Sequence, residues 1–390
     1  MGATTSMSLH EMHDFIWSRL KTLSEAEPRF LRNQLDEYRR RGVVRLLSLV
    51  PMIASLAVQR RRDFVFFGIQ YGNIIESLGH EKVGLIGGLG ASRLARQKGF
   101  QFFPTVSAAF LLWLDYKLKQ RAFLHIAQLS LRAYFKRVQP KFLILAHDLL
   151  PIDRLLVIAA KQCGVHVIVI AHGLYQSKSP PSIIDGQVAD AVLVYDSHQS
   201  EIFRKAGVRK SVVMGFHSDI VRRNMAGETC EVCFIGQPWE KHYGPTLGAL
   251  YQEILRNFAQ NLQSLGVTVY YKPHPLEYGE LDKYLLEPVQ VYRDSLSNAF
   301  DKFDYFFSVA STALFEATLA GKVAVQLYHA DFNCDDFAEF GYAHKIDALD
   351  AGALMHYEKL RPIVAPVLHY QAAIERFTAA IEQVADSFNN

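Results

Sequence analysis

A chain of 390 residues is long enough for about two domains, each with its own hydrophobic core. Half of the residues are hydrophobic and 21% are charged, which is typical of a globular protein and excludes a disordered or fibrous one. The net charge of +3 suits an anionic ligand or an anionic membrane surface, and we expect no nucleic acid partner.

The four cysteines are too few and too scattered for a disulfide framework, which indicates a reducing compartment. They are Cys163, Cys230, Cys233 and Cys334. The pair at 230 and 233 has the Cys-x-x-Cys spacing of zinc ligands, but no second pair completes such a site, so we interpret both as ordinary thiols. Residues 1–11 lack the basic and apolar segments of a signal peptide, and we expect a cytoplasmic protein.

The first 62 residues are predicted to be an N-terminal helical segment. Its amphipathic part runs from about 9 to 38, and arginine triplets at 39–41 and 60–62 then flank an apolar run at 43–58. That run is shorter than the roughly 20 residues that span a bilayer. It is either a core helix with charged ends or an interfacial helix whose arginines contact anionic lipids, which would place the protein peripherally on the inner membrane.

Strands and helices alternate from residue 63 to residue 218, which predicts a Rossmann-like domain. The first strand leads into Tyr71 and Asn73, which we expect in a loop over a ligand cleft. The glycines at 87–90 indicate either a binding loop or a simple tight turn. A single long helix is predicted over 108–138.

A polar stretch at 216–228 loses its periodicity and is the predicted linker. Alternation then resumes from 229 to 365 and predicts a second Rossmann-like domain, followed by an amphipathic C-terminal helix over 366–390. Alternating elements give parallel sheets with right-handed crossovers. The predicted fold class is therefore α/β, with two Rossmann-like domains whose parallel sheets face each other across a cleft.

One strand of the second domain ends in a histidine bracketed by two prolines. The strand at 267–271 is followed by Lys272, Pro273, His274 and Pro275. Each proline restricts the residue before it to extended geometry, which holds His274 at the carboxyl end of the strand. Ligands of open α/β sheets bind at that edge.

A second motif in the same domain has two hydroxyls between a strand and a helix. Ser311 and Thr312 follow the strand, and Glu316 lies one turn later on the same helix face as Thr312. Free N–H groups at a helix N-terminus favour a phosphate, so the two motifs together indicate a phosphate-bearing ligand. The alternative is that the hydroxyls only cap the helix and that Glu316 is solvated.

The order of these motifs resembles the second domain of GT-B glycosyltransferases. Among these, the chain looks most like the bacterial enzymes that use CMP-activated sugars, the sialyltransferases and the Kdo transferases of capsule and lipopolysaccharide synthesis. These families have a His-Pro motif and a Ser-Ser or Ser-Thr motif, here His274-Pro275 and Ser311-Thr312. Gly236-Gln237-Pro238 is similar to their loop at the start of the second domain. The resemblance covers residues 230–330, and the first domain only in outline.

The resemblance implies transfer of Kdo or sialic acid from a CMP donor to an acceptor of bacterial surface polysaccharide, lipopolysaccharide or capsule synthesis. That acceptor would be a glycan or a lipid-linked molecule. It implies no cofactor besides the donor substrate and no metal, and no Asp-x-Asp sequence stands between the predicted strands. Two alternatives remain open. One is another donor, a UDP-sugar or CDP-glycerol, and the other is a non-catalytic binding protein that closes on a ligand by hinge motion.

Within that scheme, His274 would stabilise the leaving phosphate, and Lys272 would either support the same anion or be solvated. Glu316 would accept hydrogen bonds from ribose hydroxyls. The predicted nucleotide-binding residues are Lys272, Pro275, Gly236, Gln237, Ser311, Thr312 and Glu316.

The first domain would bind the acceptor, with Tyr71 and Asn73, and supply a general base. Asp148 directly follows one buried strand and His172 the next, so each is a candidate for that base. Asp148 could instead cap the following helix, and His172 could bind the acceptor or be structural.

Two departures from the family leave the stereochemistry open. The acidic-Gly motif that sialyltransferase-like families carry in the first domain has no clear copy, only Asp185-Gly186 in a predicted loop. Some Kdo transferases retain configuration through a carboxylate nucleophile after the Gly-Gln sequence, and Glu240 is the residue here that could take that role. Inversion and retention are therefore both compatible with the sequence.

Overall fold

The computed structural model describes residues 7–22, 39, 49–148, 150–175, 189–208, 210–225, 227, 230–278 and 289–389. The chain divides into two compact units. Unit 1 comprises Met1–His172, Pro180–Ser218 and Ala372–Asn390, and unit 2 comprises Gly173–Ser179 and Asp219–Gln371. Most of the predicted 39–41 arginine triplet, the loop with Asp185-Gly186 and part of the 216–228 linker lie outside the described residues.

The described part of unit 1 contains a seven-stranded parallel sheet in the order β3-β2-β1-β4-β5-β6-β7. The strands are β1 Phe64–Phe67, β2 Val83–Gly87, β3 Gln101–Pro104, β4 Phe142–Leu145, β5 His166–Ile170, β6 Ala191–Val194 and β7 Ser211–Val213. The central strands are continuous runs of buried aliphatic and aromatic residues because helices cover both faces of a parallel sheet.

The helices of unit 1 follow the alternation that the sequence predicts. They are α1 Leu9–Thr22, α2 Leu49–Val58, α3 Gly72–Leu78, α4 Leu89–Lys98, α5 Val106–Leu118, α6 Arg121–Val138, α7 Pro151–Lys161, α8 Ser197–Lys205 and, at the other end of the chain, α14 Ala373–Asn389. The prediction of one helix over 108–138 is wrong, because Lys119 adopts a left-handed conformation and ends α5. No helix within the described ranges is both long and apolar enough for a transmembrane span.

The described part of unit 2 contains a six-stranded parallel sheet in the order β10-β9-β8-β11-β12-β13. Its strands are β8 Glu231–Ile235, β9 Thr268–Lys272, β10 Gln290–Val291, β11 Tyr305–Ser308, β12 Val323–Tyr328 and β13 His344–Asp347. Its helices are α9 Trp239–Tyr243, α10 Pro245–Ser264, α11 Leu296–Lys302, α12 Thr312–Leu319 and α13 Ala351–Leu354.

Both sheets have the same topology. In each, the first three strands run outward in one direction and the later strands in the other, so the order reverses between β1 and β4 and between β8 and β11. Ligands of such sheets bind outside the carboxyl ends of the strands at this switch point. The predicted α/β class, with two Rossmann-like parallel sheets in one chain, is confirmed.

Helix α14 belongs to unit 1 although 153 residues of unit 2 precede it, from Asp219 to Gln371. The ring of Phe377 lies 5.6 Å from that of Phe64 and 6.1 Å from that of Phe66, so the helix packs on β1. Arg376 is buried and donates hydrogen bonds to the carbonyl oxygens of Phe216 and, at 3.1 Å, Ser218. The end of the chain thus fixes the segment that follows β7.

Candidate functional site

At the switch point of unit 2, the side chain of Gln237 connects the ends of β8 and β11. This residue follows β8, and its Oε1 accepts hydrogen bonds from the backbone N–H of Ala310 (2.9 Å) and the hydroxyl of Ser308 (3.2 Å), at the end of β11. Its own N–H donates to the hydroxyl of Tyr251 at 3.0 Å. Gln237 therefore holds together the two loops that diverge at the switch point.

Gly236 lies where any side chain would collide. A Cβ at this position would be 2.5 Å from Oε2 of Glu277 and 2.6 Å from the hydroxyl oxygen of Tyr271. Glu277 is buried and accepts from the Tyr271 hydroxyl (2.8 Å) and from the N–H of His274 (2.7 Å). Burial, with the neighbouring Tyr251 and Glu277, raises the pKa of Tyr271 well above its usual value. The loop after β8 and the His-Pro corner thus share one buried network.

His274 is partly exposed at the carboxyl end of β9, as the two prolines predict. Its Nδ1 accepts a hydrogen bond from the N–H of Leu276 at 3.2 Å. The neutral ring therefore carries its proton on Nε2. Pro275 opens a short 3₁₀ turn, and Lys272 places its Nζ 3.4 Å from the hydroxyl of Tyr278. The lysine is partly exposed and is close to an aromatic side chain.

Both hydroxyls at the start of α12 have local partners. Ser311 is the N-cap, and its Oγ accepts from the N–H of Ala313 at 3.3 Å. Oγ1 of Thr312 accepts from the N–H of Leu174 at 2.9 Å, which ties part of the 173–179 segment to unit 2. A hydroxyl that accepts one bond still has its own proton to donate. Capping and phosphate binding are therefore compatible at this helix terminus.

Glu316 is a partly buried carboxyl one turn into α12. Burial raises its pKa to about 7, and no charged neighbour contributes to that shift. A carboxyl in this state is desolvated without a cation to compensate it. A ligand that donates hydrogen bonds would stabilise the charged form.

Glu240 lies in the first turn of α9, directly after the Gly236–Pro238 loop. Its Cβ would be 2.6 Å from a Cβ at Gly248, so α9 and α10 approach closely there. The side chain is partly exposed. Among the described residues no group of histidine, cysteine, aspartate or glutamate side chains has a metal-binding arrangement. Cys233 is buried in β8, Cys230 is exposed, and both are free thiols.

In unit 1, the expected loop at Tyr71 and Asn73 is instead the start of a helix. Tyr71 is the N-cap of α3, is 2% exposed and donates its hydroxyl proton to the carbonyl oxygen of Ile170 at 2.6 Å. Asn73 lies in the first turn. The prediction of a loop here is wrong because a buried tyrosine hydroxyl needs a partner, and the end of β5 supplies one.

Asp148 is fully buried after β4, and its Oδ2 accepts a hydrogen bond from the N–H of Ala189 at 3.0 Å. It does not cap the next helix, as the alternative interpretation held. That role belongs to Asp153, whose Oδ2 accepts from the N–H of Leu150 at 2.9 Å. Asp148 therefore connects the end of β4 to the segment just before β6.

Three histidines lie at the carboxyl edge of the unit 1 sheet, and sequence reasoning named one of them. His147 follows β4, His172 follows β5 and His217 follows β7. Nδ1 of His147 donates to Oδ2 of Asp153 at 2.6 Å, and its ring centroid lies 5.7 Å from that of His172. His172 in turn donates from Nδ1 to the carbonyl oxygen of Ala146 at 3.1 Å. The missed signal for His147 was positional, since it follows the buried strand β4 as His172 follows β5, whereas β7 is a short, partly exposed edge strand that gives no such signal for His217.

His217 completes the cluster by stacking on Tyr195. The two ring planes are within 12° of parallel at 5.8 Å, and the Tyr195 hydroxyl lies 3.2 Å from Nδ1 of His217. The ring of Tyr71 meets His217 edge-on at 5.5 Å. Aromatic packing therefore fixes this imidazole on two sides.

The three imidazoles differ in protonation. Burial lowers the pKa of His147, but the charge and hydrogen bond of Asp153, with a contribution from Asp148, outweigh it and raise the pKa overall. Burial lowers the pKa of His172, and so does the nearby His147. Burial, followed by His172 and Arg376, lowers the pKa of His217 to about 4. Near neutral pH the cluster favours charge on His147 and disfavours it on the other two.

No protein-family model matches the sequence, and no curated protein matches it either. Among solved structures, the UDP-GlcNAc 2-epimerase of Methanocaldococcus jannaschii is similar over 83% of this chain and 100% of its own, with 9% identity and a TM-score of 0.55. The Neisseria meningitidis UDP-GlcNAc 2-epimerase bound to UDP-GlcNAc is similar over 83% of this chain and 100% of its own, with 11% identity and a TM-score of 0.53. MnaA of S. aureus, in a co-structure with UDP, is similar over 84% of this chain and 97% of its own, with 11% identity and a TM-score of 0.53.

Identities this low show a shared fold alone. Each similarity extends over more than four fifths of this chain and nearly all of the other, so it includes the sheets of both units. The chain therefore has the GT-B-like fold that the sequence resemblance implied, and it shares that fold with these sugar-nucleotide epimerases.

Proposed function

We propose that the protein is a glycosyltransferase that uses a nucleotide-sugar donor, with the nucleotide bound by unit 2. The observation that carries the proposal is the group at the unit 2 switch point: a loop without a side chain at Gly236, the N-terminus of α12, and the desolvated carboxyl of Glu316 one turn further on. A backbone cradle suits phosphates, and a carboxyl without a cation suits ribose hydroxyls.

His274 is the proposed ligand of the leaving phosphate. Because Nδ1 accepts from the N–H of Leu276, the neutral ring has its proton on Nε2, and this N–H would donate to the phosphate oxygen. Negative charge grows on the phosphate oxygen as the sugar leaves, and a fixed donor there stabilises the transition state more than the ground state. The hydroxyl protons of Ser311 and Thr312 and the free N–H groups of the α12 terminus act on the same anion. Lys272 would add its charge to this site.

For activation of the acceptor hydroxyl we favour His147 over Asp148 and His172. An imidazole that donates Nδ1–H to a buried carboxylate has its Nε2 lone pair oriented for proton abstraction, and Asp153 provides that carboxylate at 2.6 Å. Asp148 is fully buried and already bonded to Ala189, which makes it a poorer base. His172 would be an acceptor ligand. The role of Glu240 as a nucleophile stays a prediction from the resemblance.

The donor follows from the motifs. His274-Pro275 and Ser311-Thr312 support a CMP-linked ulosonic acid, Kdo or sialic acid, with a glycan or lipid-linked acceptor of a bacterial surface polysaccharide. The specific observation in favour of a second candidate is the set of structural neighbours described with UDP or UDP-GlcNAc. That candidate is a UDP-sugar enzyme, either a transferase or an epimerase.

Nucleotide binding is the first test. Thermal unfolding is measured with CMP, CDP and UDP, and the cognate nucleotide at 100 times its Kd should stabilise the native protein by about 2.7 kcal/mol. Stabilisation by CMP alone supports the first candidate and by UDP alone the second. An unchanged unfolding temperature with all three nucleotides contradicts both.

Turnover is the second test. Release of CMP from CMP-Kdo or CMP-sialic acid, or of UDP from UDP-GlcNAc, is followed in the wild type and in His274→Ala, and we expect a fall of 100-fold or more, about the effect of losing one preorganised donor to a developing anion. His329→Ala is the matched control, because that histidine also caps a 3₁₀ turn after a strand of unit 2. Full activity in His274→Ala would remove the corner from the mechanism.

A pH–rate profile tests the base. Because the pKa of His147 is raised, kcat/KM should fall as the pH drops through it, and His147→Gln should lose both the rate and that limb of the profile. Asp153→Asn should shift the limb to lower pH, because the carboxylate that raises the pKa is gone. A profile unchanged in Asp153→Asn would exclude the dyad.

A further inference from the structure

Helix α2 presents an apolar face to solvent. Val50, Ile53 and Val58 are 71%, 61% and 69% exposed, and Ala54 and Ala57 between them are exposed too. Their spacing of i, i+3, i+4, i+7 and i+8 places all five on one side of the helix. The opposite side is anchored in unit 1, where the side chain of Met52 is buried. An exposed stripe of this kind marks an interaction surface.

A basic pocket begins one residue after the helix ends. It has a volume of about 310 Å³ and is lined by Gln59, Arg60, Arg61, Lys136, Arg137 and Gln139. Four of these six side chains are cations and none is a carboxylate. We refer to the α2 stripe and this pocket together as the docking face.

Hydrogen bonds fix the backbone of the pocket. The guanidinium of Arg137 donates from Nε to the carbonyl oxygen of Gln59 at 3.1 Å, and the Gln59 amide donates to the carbonyl oxygen of Phe102 at 3.1 Å. The N–H of Arg60 donates to the Gln101 side chain at 3.0 Å. The pocket is therefore a fixed part of unit 1, joined to β3 and to the end of α6. Because Arg60 and Arg61 are exposed, their charges remain available to a partner.

We propose that the docking face binds the surface of a bilayer that contains anionic phospholipid. An interfacial helix inserts apolar side chains at the level of the headgroups while neighbouring cations contact lipid phosphates. The docking face combines both features within eleven consecutive residues, 50 to 60, and adds three further cations. A soluble phosphate would use the pocket and leave the stripe in water, and a nucleic acid would do the same. The inference does not depend on the proposed function.

Vesicle flotation tests the proposal on the full chain. Vesicles of phosphatidylcholine alone and with phosphatidylglycerol are compared at about 0.1 M and about 0.5 M salt, where the Debye length differs about twofold. We expect binding to the anionic vesicles at low salt only. Each cation contributes about a fivefold gain in partitioning, so Arg60→Gln with Arg61→Gln should weaken binding about 25-fold. Ile53→Asp should weaken it about tenfold or more. Arg93→Gln with Arg96→Gln, exposed on α4 of the same unit, is the charge-matched control and should bind as the wild type does.

Each other outcome overturns the proposal. Equal binding to both vesicle types, or none to either, removes the anionic bilayer as the partner. If Ile53→Asp binds as the wild type does while the arginine variants do not, the stripe is not inserted, and titration with inorganic phosphate or a short oligonucleotide would identify a soluble anion as the occupant. Because every substituted side chain is exposed, thermal unfolding should be unchanged in all variants, which separates lost binding from lost folding.

Discussion

The two sheets have the same order of strands about their switch points, but different side chains lie at their carboxyl edges. The edge of unit 2 consists of a glycine loop, a helix terminus with two hydroxyls, one histidine and one desolvated carboxyl. The edge of unit 1 carries three imidazoles packed among tyrosines, with charge favoured on one of them and disfavoured on the others. Topology therefore decides where side chains converge, and the strand-end residues decide what they can do there.

The contrast suggests a division of work. At the edge of unit 2 the proposed ligands of the anion are backbone N–H groups and small hydroxyls, which do not titrate near neutral pH, together with the His274 imidazole. In unit 1 the pKa of His147 is raised and the pKa values of His172 and His217 are lowered, so His147 is the imidazole that we propose for acid–base chemistry. Substitutions of residues at the two sheet edges test this comparison.

The largest expected effect comes from Gly236→Ala. The added Cβ would overlap the Glu277 carboxylate and the Tyr271 hydroxyl, and both are buried in one network with the His274 N–H. We expect a loss of about 3 kcal/mol in the free energy of unfolding of unit 2, and no measurable nucleotide affinity.

Gly72→Ala is the control for that substitution, because nothing lies within 4 Å of its Cβ position at the start of α3. It should change stability by less than about 0.5 kcal/mol. Urea unfolding and calorimetric titration with nucleotide measure both variants. Normal binding in Gly236→Ala would mean that the loop after β8 does not approach the ligand.

The pH dependence of unit 1 is the next largest effect. The pKa of His217 is about 4 in the folded protein and 6.5 in the unfolded one, so its contribution to stability is complete above pH 6.5 and is lost as the pH falls towards 4. The loss should be about 2–3 kcal/mol. The raised pKa of His147 acts in the opposite direction, with a contribution present below pH 6.5 and lost as the pH rises through the raised value.

His217→Phe keeps the stacking on Tyr195 and removes the titration. The stability of unit 1, measured by hydrogen exchange, should therefore fall less steeply between pH 7 and pH 4.5 in this variant than in the wild type. Parallel curves for the two proteins would show that His217 is charged more easily than its packing indicates.

Glu316→Gln should separate stability from binding in unit 2. The substitution removes a desolvated carboxyl, so the free protein should gain about 1–2 kcal/mol of stability at pH 8, where Glu316 is charged. Nucleotide affinity should fall about tenfold, because a charged acceptor for the ribose is lost.

The pH dependence of affinity provides the control. Ribose donors favour the charged carboxyl and lower its pKa on binding, so wild-type affinity should rise from pH 6 to pH 8 relative to that of Glu316→Gln. Calorimetric titrations of both proteins at the two pH values measure this ratio. A ratio independent of pH would place Glu316 outside the nucleotide site.

The smallest expected effect is that of Ser311→Ala. Loss of an N-cap costs about 1 kcal/mol, and Ser295→Ala, which removes the N-cap of α11, should cost as much. Only the first substitution should also weaken nucleotide binding, as measured by calorimetric titration. If both variants bind normally, Ser311 is a cap and nothing more.

Strand periodicity and proline geometry were enough to predict the α/β class and the position of His274 at the end of β9. They could not reveal the role of Glu277, because its importance depends on a hydrogen bond to Tyr271 that forms only when β9 and the 3₁₀ turn pack together. The strand β3 was missed because Gln101–Pro104 is short, polar at its start and ends in proline. Tyr71 was misplaced because nothing in its local sequence shows that the carbonyl of Ile170, 99 residues away, accepts its proton.

The histidine cluster shows the same limit. His147, His172 and His217 lie in the separate segments that follow β4, β5 and β7, and only the parallel arrangement of these strands brings them to one edge. Which of them is charged depends on Asp153 and Arg376, and neither relation is visible in the sequence.

The return of α14 to unit 1 has a consequence for synthesis on the ribosome. Unit 2 is nearly continuous in sequence and can fold as soon as Gln371 has emerged, whereas unit 1 waits for Ala373–Asn389 to cover β1 and to hold the segment after β7. The unit translated first is thus completed last, and its apolar surface around Phe64 and Phe66 is open to chaperones in the interval. A truncated chain that ends at residue 371 and has been released from the ribosome should therefore display a protease-resistant unit 2 beside a protease-sensitive unit 1.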